Sequence, residues 1–374
     1  MKKKFATNLA SLMLLSTVSF STAFAADICT DPLSKVCTET KATRIERENN
    51  VNALKQEISA EANKNAAPRI EEMKKKTPKW RFIRRAIQTY KIRNQEIMKS
   101  AKLRVGDLEK VVTSPENVAK LKSYMYQAID ETNIDATNKQ KFKEIISTVV
   151  IGNFADYLEK SGLEDNFILQ LLANACGSDG LVDNAFATTL DNQRYVLVCP
   201  GFLVTLSKQA SEQEKFNSIL QAIAHEMGHH IDNSKVGNEI YAPYMSCLAK
   251  NHIDRFNKSK DDEKFCKKNE KDVAACANQV VLSHAGELIA DQWGIKVTAI
   301  HAKKEGYSFG DSEKMLVDSW AKLCGSGDEG IHPIGDFRIG TLMRTNPSIV
   351  NTLSCGAASE AKPACTFDGE VANQ

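Results

Sequence analysis

Apolar residues recur three or four positions apart along most of the chain, with polar and charged residues between them. From residue 41 to residue 165 the runs are long and show little β-branched alternation, so this segment is predicted to be almost wholly helical. Breaks are predicted at residues 63–68 and at Thr77-Pro78. Ser114 before Pro115 is typical of a helix start. Individual helices are expected over about 116–132, 138–159 and 165–175.

The pattern changes near Cys176. Residues 184–189 and 193–199 are typical of strands, and Asp191-Asn192 is typical of the turn between them. Residues 26–40 are expected to be irregular. The remaining helices are expected over about 211–231, 272–304 and 312–323, with broken helix and loop over 233–275. The expected fold class is α+β, mainly α, with a small mixed sheet.

Length and charge narrow the functional classes. The chain has 374 residues, enough for one large domain or two moderate ones with ample core. Its 49 Lys and Arg nearly balance its 47 Asp and Glu, a formal net charge of +2. This near-zero net charge gives no indication that the protein binds nucleic acid.

One basic run departs from this balance. Residues 74–93 contain nine Lys and Arg, opposite a predicted apolar helix face that includes Ile83, Ile87 and Tyr90. Such a face is usually solvated, and we favour that interpretation. The alternative is weak contact with an anionic envelope surface, such as lipid headgroups or an acidic polymer.

The first 25 residues are typical of a secretory signal peptide. Lys2-Lys3-Lys4 form a basic start, residues 5–20 a short apolar stretch, and Ala23-Phe24-Ala25 an A-x-A cleavage site. The mature chain is expected to begin at Ala26, in the periplasm or outside the cell of a bacterium. No later segment is expected to span a membrane.

All ten cysteines lie beyond the signal segment. An even number in an exported chain predicts disulfides. A zinc–thiolate site is the competing interpretation, but the chain has no C-x-x-C pair, so disulfides are favoured.

The strongest chemical motif is His225-Glu226-Met227-Gly228-His229, an H-E-x-x-H sequence inside a predicted amphipathic helix. Residues four apart share a helical face, so both imidazoles can bind one metal ion. Glu226 lies beside the first ligand, where its carboxylate can reach a metal-bound water. This is the arrangement of a zinc metallopeptidase, with one Zn²⁺ per chain. The alternative is a polar helix with a surface histidine pair.

A catalytic zinc ion usually has a third protein ligand. Glu287 and Asp291 form an E-x-x-x-D pair on an apolar predicted helix about sixty residues downstream. Glu287 is the predicted ligand, and Asp291 is predicted to accept the second N–H of a ligating histidine. His332 and Arg338 are candidates for stabilising the oxyanion of a tetrahedral intermediate. The alternative for the acidic pair is a solvated helix face.

Several separated segments resemble the neprilysin-type gluzincin peptidases. Residues 225–232 resemble their H-E-x-x-H-x-F-D motif and residues 286–294 their G-E-N-I-A-D-x-x-G. Residues 332–339 resemble their H-S-P-x-x-F-R-I, with one residue rearranged around the proline, and Asn184-Ala185-Phe186 resembles their N-A-F-Y edge strand. The agreement covers about residues 170–370 and a short patch from Cys29 to Cys37.

The resemblance implies a thermolysin-like (zincin) catalytic domain over residues 166–374 and a helical N-terminal lobe over residues 26–165 that caps it. The substrate is expected to be a peptide or protein. The implied roles are metal ligation by His225, His229 and Glu287; catalysis by Glu226 and His332, with Asp291 orienting a ligand; and substrate binding by Asn184, Ala185 and Arg338, the first two through strand-like backbone pairing.

The resemblance also implies disulfides. Cys29 is expected to pair with Cys355, Cys37 with Cys324, and Cys365 with a cysteine after the active-site helix, for which Cys266 is the first choice. Of the remaining cysteines, Cys176 is expected to pair with Cys199.

The chain departs from that family in size, because the N-terminal lobe is much shorter. A second gluzincin family, the CAAX prenyl protease type, shares the metal motifs and matches Asn184-Ala185-Phe186-Ala187 slightly better. Two other functions stay open: a non-catalytic exported binding module on the same fold, and an envelope-binding helical module formed by residues 41–165.

Overall fold

The computed structural model describes most of the chain: residues 28–29, 31–37, 41–105, 108–154, 156–157, 175–177, 181–207, 211–256, 258–325, 332–343, 347–353 and 363–371. The predicted signal segment, most of the helix expected over 165–175, and Cys355 lie outside these residues. No helix in the described ranges is long and apolar enough to cross a bilayer.

Helices make up most of the described chain. Those of the N-terminal half are α1 (Pro32–Val36), α2 (Lys41–Lys76), α3 (Phe82–Val105), α4 (Glu109–Thr113), α5 (Pro115–Asp130) and α6 (Ala136–Ser147). Those of the centre are α7 (Pro200–Leu206), α8 (Glu212–Gly228), α9 (Asn233–Val236), α10 (Asn238–Asn251), α11 (Lys260–Lys268) and α12 (Val273–Ser283). The last are α13 (Ala285–Lys304), α14 (Phe309–Trp320), α15 (Gly335–Phe337) and α16 (Pro347–Thr352). Short 3₁₀ helices cover Ile253–Arg255 and Ala321–Leu323, and a π-helix covers Arg338–Met343.

A small mixed sheet lies beside these helices. Its strands are β1 (Val150–Asn153), β2 (Ala185–Leu190) and β3 (Gln193–Val198), in the order β1-β3-β2. β1 runs parallel to β3 and β2 antiparallel to it. Asp191 and Asn192 form the turn between β2 and β3 with positive φ values of 49° and 63°, a conformation that Asp and Asn tolerate. A separate hairpin consists of β4 (Ala364–Thr366) and β5 (Gly369–Val371). The expected α+β, mainly α class is confirmed.

The predicted break at residues 63–68 is wrong. α2 continues through Pro68 to Lys76, while the break at Thr77-Pro78 is confirmed. Ile58, Ala62, Ala66 and Ile70 are all buried and lie four residues apart, so one uninterrupted stripe of α2 faces its neighbours. Packing of that stripe outweighs the one backbone hydrogen bond that Pro68 cannot make.

Three other predicted boundaries are wrong. The helix expected over 138–159 ends at Ser147, because Val150–Asn153 pairs with β3 instead. The helix expected over 272–304 is interrupted at His284, which has non-helical φ and ψ. The segment expected to be irregular contains α1, whose start is fixed by Asp31: its side chain accepts the Ser34 N–H, and Pro32 follows as the first helical residue.

One large core connects most of the elements. It joins α5 and α6 to α8 and α13, and Phe142 of α6 packs edge-on against Trp293 of α13 with ring centres 6.3 Å apart. Core residues on both sides of residue 165 belong to this cluster. The division into a lobe over 26–165 and a catalytic domain over 166–374 stays a prediction.

Four disulfides tie the described elements together. Cys37–Cys324 and Cys176–Cys199 are confirmed. Cys365 pairs, as expected, with a cysteine that follows α8, but the first choice of Cys266 is wrong. Cys365 bonds Cys247, because the β4–β5 hairpin packs on α10, and Cys266 bonds Cys276 between α11 and α12. Cys29 is also disulfide-bonded, but its predicted partner Cys355 lies outside the described residues.

Helices α8 and α13 approach each other closely at Gly228. A Cβ atom added there would lie 3.0 Å from Ala290 Cα and 3.2 Å from Trp293 Cδ1. Since both atoms belong to the fixed core of α13, neither has room to move. Glycine at this position therefore sets the distance between the two helices.

We expect Gly228→Ala to lower the free energy of unfolding by about 1–3 kcal/mol, because it overpacks a helix contact. Gly310→Ala in α14 is the matched control, since its nearest non-adjacent atom would be 4.0 Å away. Alanine there is expected to be neutral or stabilising by up to about 1 kcal/mol. Urea unfolding of both variants checks this, and equal midpoints would contradict it.

A fully buried histidine makes the fold sensitive to acid. His301 Nε2 lies 2.9 Å from Asn217 Oδ1, and its Nδ1 lies 3.3 Å from Tyr124 Oη. Burial lowers the pKa of His301 to about 4, so the ring is neutral in the folded protein near pH 7. The unfolded chain takes up a proton at this residue below about pH 6.5.

The His301 contribution to stability is therefore complete above about pH 6.5 and declines as the pH falls towards 4. This one group is expected to remove about 2 kcal/mol of unfolding free energy between pH 7 and pH 5. His301→Gln keeps a donor for Asn217 but cannot titrate, so its loss between these pH values should be smaller by that amount. Urea unfolding at both values measures the difference, and identical losses in variant and wild type would refute it.

Candidate metal centre

The candidate centre lies at the C-terminal end of α8. Two features of the sequence determine where this helix begins and how it packs. Ser211 and Glu214 form a capping box at its beginning, each side chain accepting the backbone N–H of the other residue. The apolar positions that follow are buried against the core, namely Phe216, Ile219, Leu220, Ile223 and Met227. The helix therefore ends with His225 and His229 at a fixed place next to α13.

The three predicted ligands converge at the contact between α8 and α13. His225 Nε2 and His229 Nε2 lie 3.1 Å apart. Glu287, in the first turn of α13, places Oε2 3.3 Å from His225 Nε2 and Oε1 3.5 Å from His229 Nε2. One ligand atom from each residue lies within 4.8 Å of the others, so this group can hold a metal ion.

Each imidazole is oriented by a carboxylate on its far side. His225 Nδ1 lies 2.9 Å from Asp291 Oδ1, and His229 Nδ1 lies 3.2 Å from Asp232 Oδ2. With Nδ1 donating to a carboxylate, the Nε2 atom of each ring is left to face the other. This is the tautomer and orientation that metal-binding histidines have.

The surroundings of the imidazoles favour a positive charge between them. Burial lowers the pKa of His225, but the hydrogen bond with Asp291 and the close contact with Glu287 outweigh it and raise that pKa to about 10. Burial also opposes ionisation of Glu287, yet contacts with His225 and His332 keep its pKa well below the ordinary value. Glu287 Oε2 is buried and accepts no hydrogen bond of good geometry from the described residues. A cation would satisfy this oxygen, so the donor set fits a bound metal.

Asp291 is fully buried and joins three segments of the chain. It accepts hydrogen bonds from Arg338 Nε at 2.7 Å and from Arg338 Nη2 at 2.6 Å, besides its contact with His225. Burial raises the pKa of Asp291, but the Arg338 guanidinium and His225 outweigh it and lower the pKa to about 2. Asp291 therefore stays ionised, and Arg338 balances its charge. Two donor nitrogens of Arg338 are engaged here, and its predicted contact with a substrate carbonyl stays a prediction.

Glu226 and His332 border the space in front of the ligands. Glu226 Oε2 accepts the Ala187 backbone N–H at 2.9 Å, which fixes its carboxylate without using the other oxygen. Glu226 Oε1 lies 4.0 Å from His225 Nε2. His332 Nε2 lies 3.1 Å from Glu287 Oε2. The predicted base and the predicted oxyanion partner therefore lie beside the same group of ligands.

The edge strand β2 borders the same space. Asn184 C=O accepts the Cys199 N–H, so the residues of β2 that pair with β3 by hydrogen bonds are Phe186, Thr188 and Leu190. The backbone groups of Ala185 and Ala187 consequently point away from β3, and Ala187 reaches Glu226 in this way. The side chain of Asn184 is held by the Ala175 carbonyl at 3.0 Å.

Clefts extend from the centre on two sides. The larger, of about 750 Å³, runs along β2 past Glu226 and His332 to the start of α13. The smaller, of about 350 Å³, lies between Glu226, His332 and Arg338 and includes Lys322. Asn184, Ala185, His225, Glu226 and His332 line both clefts. An extended molecule can therefore lie across both clefts, beside the candidate metal ligands.

Three groups near this centre have no role assigned by the sequence motifs. Asp232 orients His229, and the signal for it was its position three residues after that ligand. The Ala187 N–H holds Glu226, which no sequence pattern indicates because it is a backbone contact. The third is His230, next to His229, to which the motifs assign no role: its Nε2 lies 3.0 Å from the Tyr195 carbonyl, and burial lowers its pKa to about 4.

Comparisons with known proteins identify no family for this chain. No protein-family model matches the chain, and a search of curated proteins found no match. The assignment of function therefore depends on the geometry described above.

We expect Asp291→Asn to weaken metal binding by about 10- to 100-fold, because His225 loses the carboxylate that orients it. Asp318→Asn is the matched control, since Asp318 pairs with Lys314 in α14, away from the centre. Competition with a chromogenic chelator measures the affinity of each variant, and the far-ultraviolet circular dichroism spectrum checks that the Asp291 variant is folded. Affinity equal to that of the wild type in a folded Asp291 variant would refute the role of this carboxylate.

Proposed function

We propose that this protein is a zinc-dependent peptidase, with His225, His229 and Glu287 as metal ligands. The observation that carries the proposal is the convergence of these ligands with a carboxylate, Glu226, held beside them by a backbone N–H. Two imidazole nitrogens bound to one tetrahedral zinc ion at about 2.0–2.1 Å would lie about 3.3 Å apart. The observed separation of the Nε2 atoms is 3.1 Å. Two nitrogens and one carboxylate are a donor set that suits zinc.

A bound zinc ion supplies two effects: it lowers the pKa of a water molecule towards neutrality and polarises the scissile carbonyl. The residues of this chain do the rest. Glu226 takes the proton of the attacking water at one carboxylate oxygen while Ala187 holds the other, and it then delivers that proton to the leaving amine. His332 donates a hydrogen bond to the oxyanion that develops on the substrate.

The substrate would be a peptide in extended conformation. Ala185 presents its backbone N–H and C=O on the side of β2 that faces the cleft, so a peptide can add to this edge as a further strand. The two clefts on either side of Glu226 would take residues before and after the scissile bond. Asn184, whose side chain is anchored to Ala175, would position the end of that strand.

The resemblance supports a thermolysin-like fold of neprilysin type, with the CAAX prenyl protease type as second choice. The disulfide Cys37–Cys324 agrees with the pairing that the first family implies. The several disulfides also suit an exported protein in an oxidising compartment, as the predicted signal peptide implies. We therefore assign the activity to the periplasm or the extracellular space.

The test is Glu226→Gln, with Glu212→Gln as the matched control at the exposed start of the same helix. Both variants and the wild type are expected to bind about one zinc ion per chain. Loss of the general base is expected to lower kcat for a quenched peptide library by about 10²- to 10⁴-fold in Glu226→Gln and to leave Glu212→Gln unchanged. Metal content is measured by mass spectrometry of the purified proteins.

Two results would overturn the proposal. Wild-type protein that contains zinc but cleaves no peptide would favour a non-catalytic binding module on the same fold. Wild-type protein that binds no zinc in the presence of excess ion would refute the ligand assignment itself.

A further inference from the structure

The turn between α2 and α3 forms an exposed tip whose residues line neither cleft of the candidate metal centre. We call residues 74–85 the hairpin tip. Ile87 and Tyr90 of α3 contact the body of the protein, and Tyr90 Oη donates to the Gly177 carbonyl at 3.0 Å. Phe82, the first residue of α3, is five residues before Ile87, about 7.5 Å along the helix axis, so the turn precedes that contact by more than one helical turn.

The hairpin tip exposes a cluster of large apolar side chains. Trp80 is 72% exposed, Phe82 69% and Ile83 39%. Eleven large hydrophobic residues are exposed in the described chain, and three of them fall within these four consecutive positions. Single exposed apolar residues are ordinary, but a contiguous group that includes two aromatic rings marks an interaction surface.

The same segment carries a concentrated positive charge. Residues 74–85 contain seven Lys and Arg and no acidic residue, whereas the whole chain has a net charge of only +2. Lys74 and Lys76 pair with Glu71 and Glu72, at 2.8 Å and 2.6 Å, so part of this charge is offset. Lys75, Lys79 and Arg81 are also exposed. A cleft of about 450 Å³ beside the turn is lined by four cationic side chains and one acidic side chain, namely Arg69, Lys76, Arg81, Arg84 and Glu72, besides uncharged residues.

The tip has a fixed shape. Arg85 Nε donates to the Thr77 carbonyl at 2.8 Å, and Arg85 Nη2 donates to the carbonyls of Lys74 and Thr77. These bonds satisfy the last carbonyl groups of α2 and hold the turn against the start of α3. The Arg81 guanidinium lies 4.7 Å from the centre of the Trp80 ring. Trp80, Phe82 and Ile83 therefore lie at a turn whose conformation is fixed by hydrogen bonds.

We propose that the hairpin tip docks on the surface of an anionic phospholipid bilayer. Trp80, Phe82 and Ile83 enter the interface between headgroups and acyl chains, where aromatic side chains are favoured. The surrounding Lys and Arg contact lipid phosphates, and the cleft with Arg81 and Arg84 takes a headgroup. A polyanion without an apolar phase would match the charge but leave the aromatic side chains in water, so a bilayer accounts for both features.

The chain contains its own reporter of this contact. It has three tryptophans, and Trp293 and Trp320 are fully buried. Transfer of Trp80 from water to the bilayer interface should therefore dominate any change in fluorescence. On addition of vesicles of phosphatidylglycerol mixed with phosphatidylcholine, the mature protein is expected to show a blue shift of emission and to float with the vesicles. With phosphatidylcholine alone, binding is expected to be weaker by about tenfold or more.

Two double variants test the two halves of the surface. Trp80→Ser with Phe82→Ser removes the apolar part, and Lys75→Glu with Lys79→Glu reverses two exposed charges. Each is expected to lower binding to the anionic vesicles by about tenfold or more. The matched controls are Val273→Ser, since Val273 is 78% exposed elsewhere, and Lys303→Glu with Lys304→Glu at the end of α13. Both controls are expected to bind as the wild type does.

Three outcomes would overturn the proposal: no flotation of the wild type with anionic vesicles, flotation without a shift of tryptophan emission, or equal flotation of the tip variants and the wild type. The second would indicate attachment to the bilayer surface by charge alone, without entry of the aromatic side chains. Zinc content and peptide cleavage of the tip variants should stay at wild-type levels. The outcome is therefore independent of whether the proposed peptidase activity is correct.

Discussion

The buried carboxylate of Asp291 is the interaction on which the candidate site depends. It lies on α13, orients His225 of α8, and holds Arg338 from the C-terminal part of the chain. An isolated charge at this depth would be costly, and the same is true of the Arg338 guanidinium. The Asp291 carboxylate and the Arg338 guanidinium stabilise each other in the core. The three segments that carry Asp291, His225 and Arg338 must therefore come together before any one of them is stable. The candidate metal ligands are positioned by that requirement.

The edge strand adds a second constraint that acts on Glu226. Its carboxylate is held at one oxygen by the Ala187 backbone, and β2 in turn is held by hydrogen bonds to β3. The strand that would bind a peptide therefore also fixes the proposed base. In the proposed mechanism the backbone of β2 both binds the peptide and holds Glu226. The scissile bond and the carboxylate that accepts the proton therefore keep a fixed relative position.

The sequence predicts best where chemistry or backbone conformation restricts the choice of residue. The convergence of His225 and His229 follows from their spacing on one helix, and that of Glu287 from an acidic pair on an apolar helix. The turn at Asp191-Asn192 follows from residues that tolerate positive φ. Errors occur where distant packing decides. Pro68 lies inside a helix because the stripe around Ala66 is buried, and Val150 is in a strand because β3 is beside it. Cys365 bonds Cys247 because two elements pack together, and spacing does not reveal such contacts.

The close contact of α8 and α13 at Gly228 has a consequence for the order of maturation. At Gly228 the backbone of α8 lies against the Ala290 backbone and the Trp293 side chain, with no flexible side chain between them. The core, and not an ion, therefore fixes the geometry of the candidate ligands. A preorganised site has little ordering entropy left to lose when the ion arrives. If the proposed ion binds, the chain can complete its fold first and take up the ion as a separate, later event. This order would suit a protein that its predicted signal peptide exports unfolded.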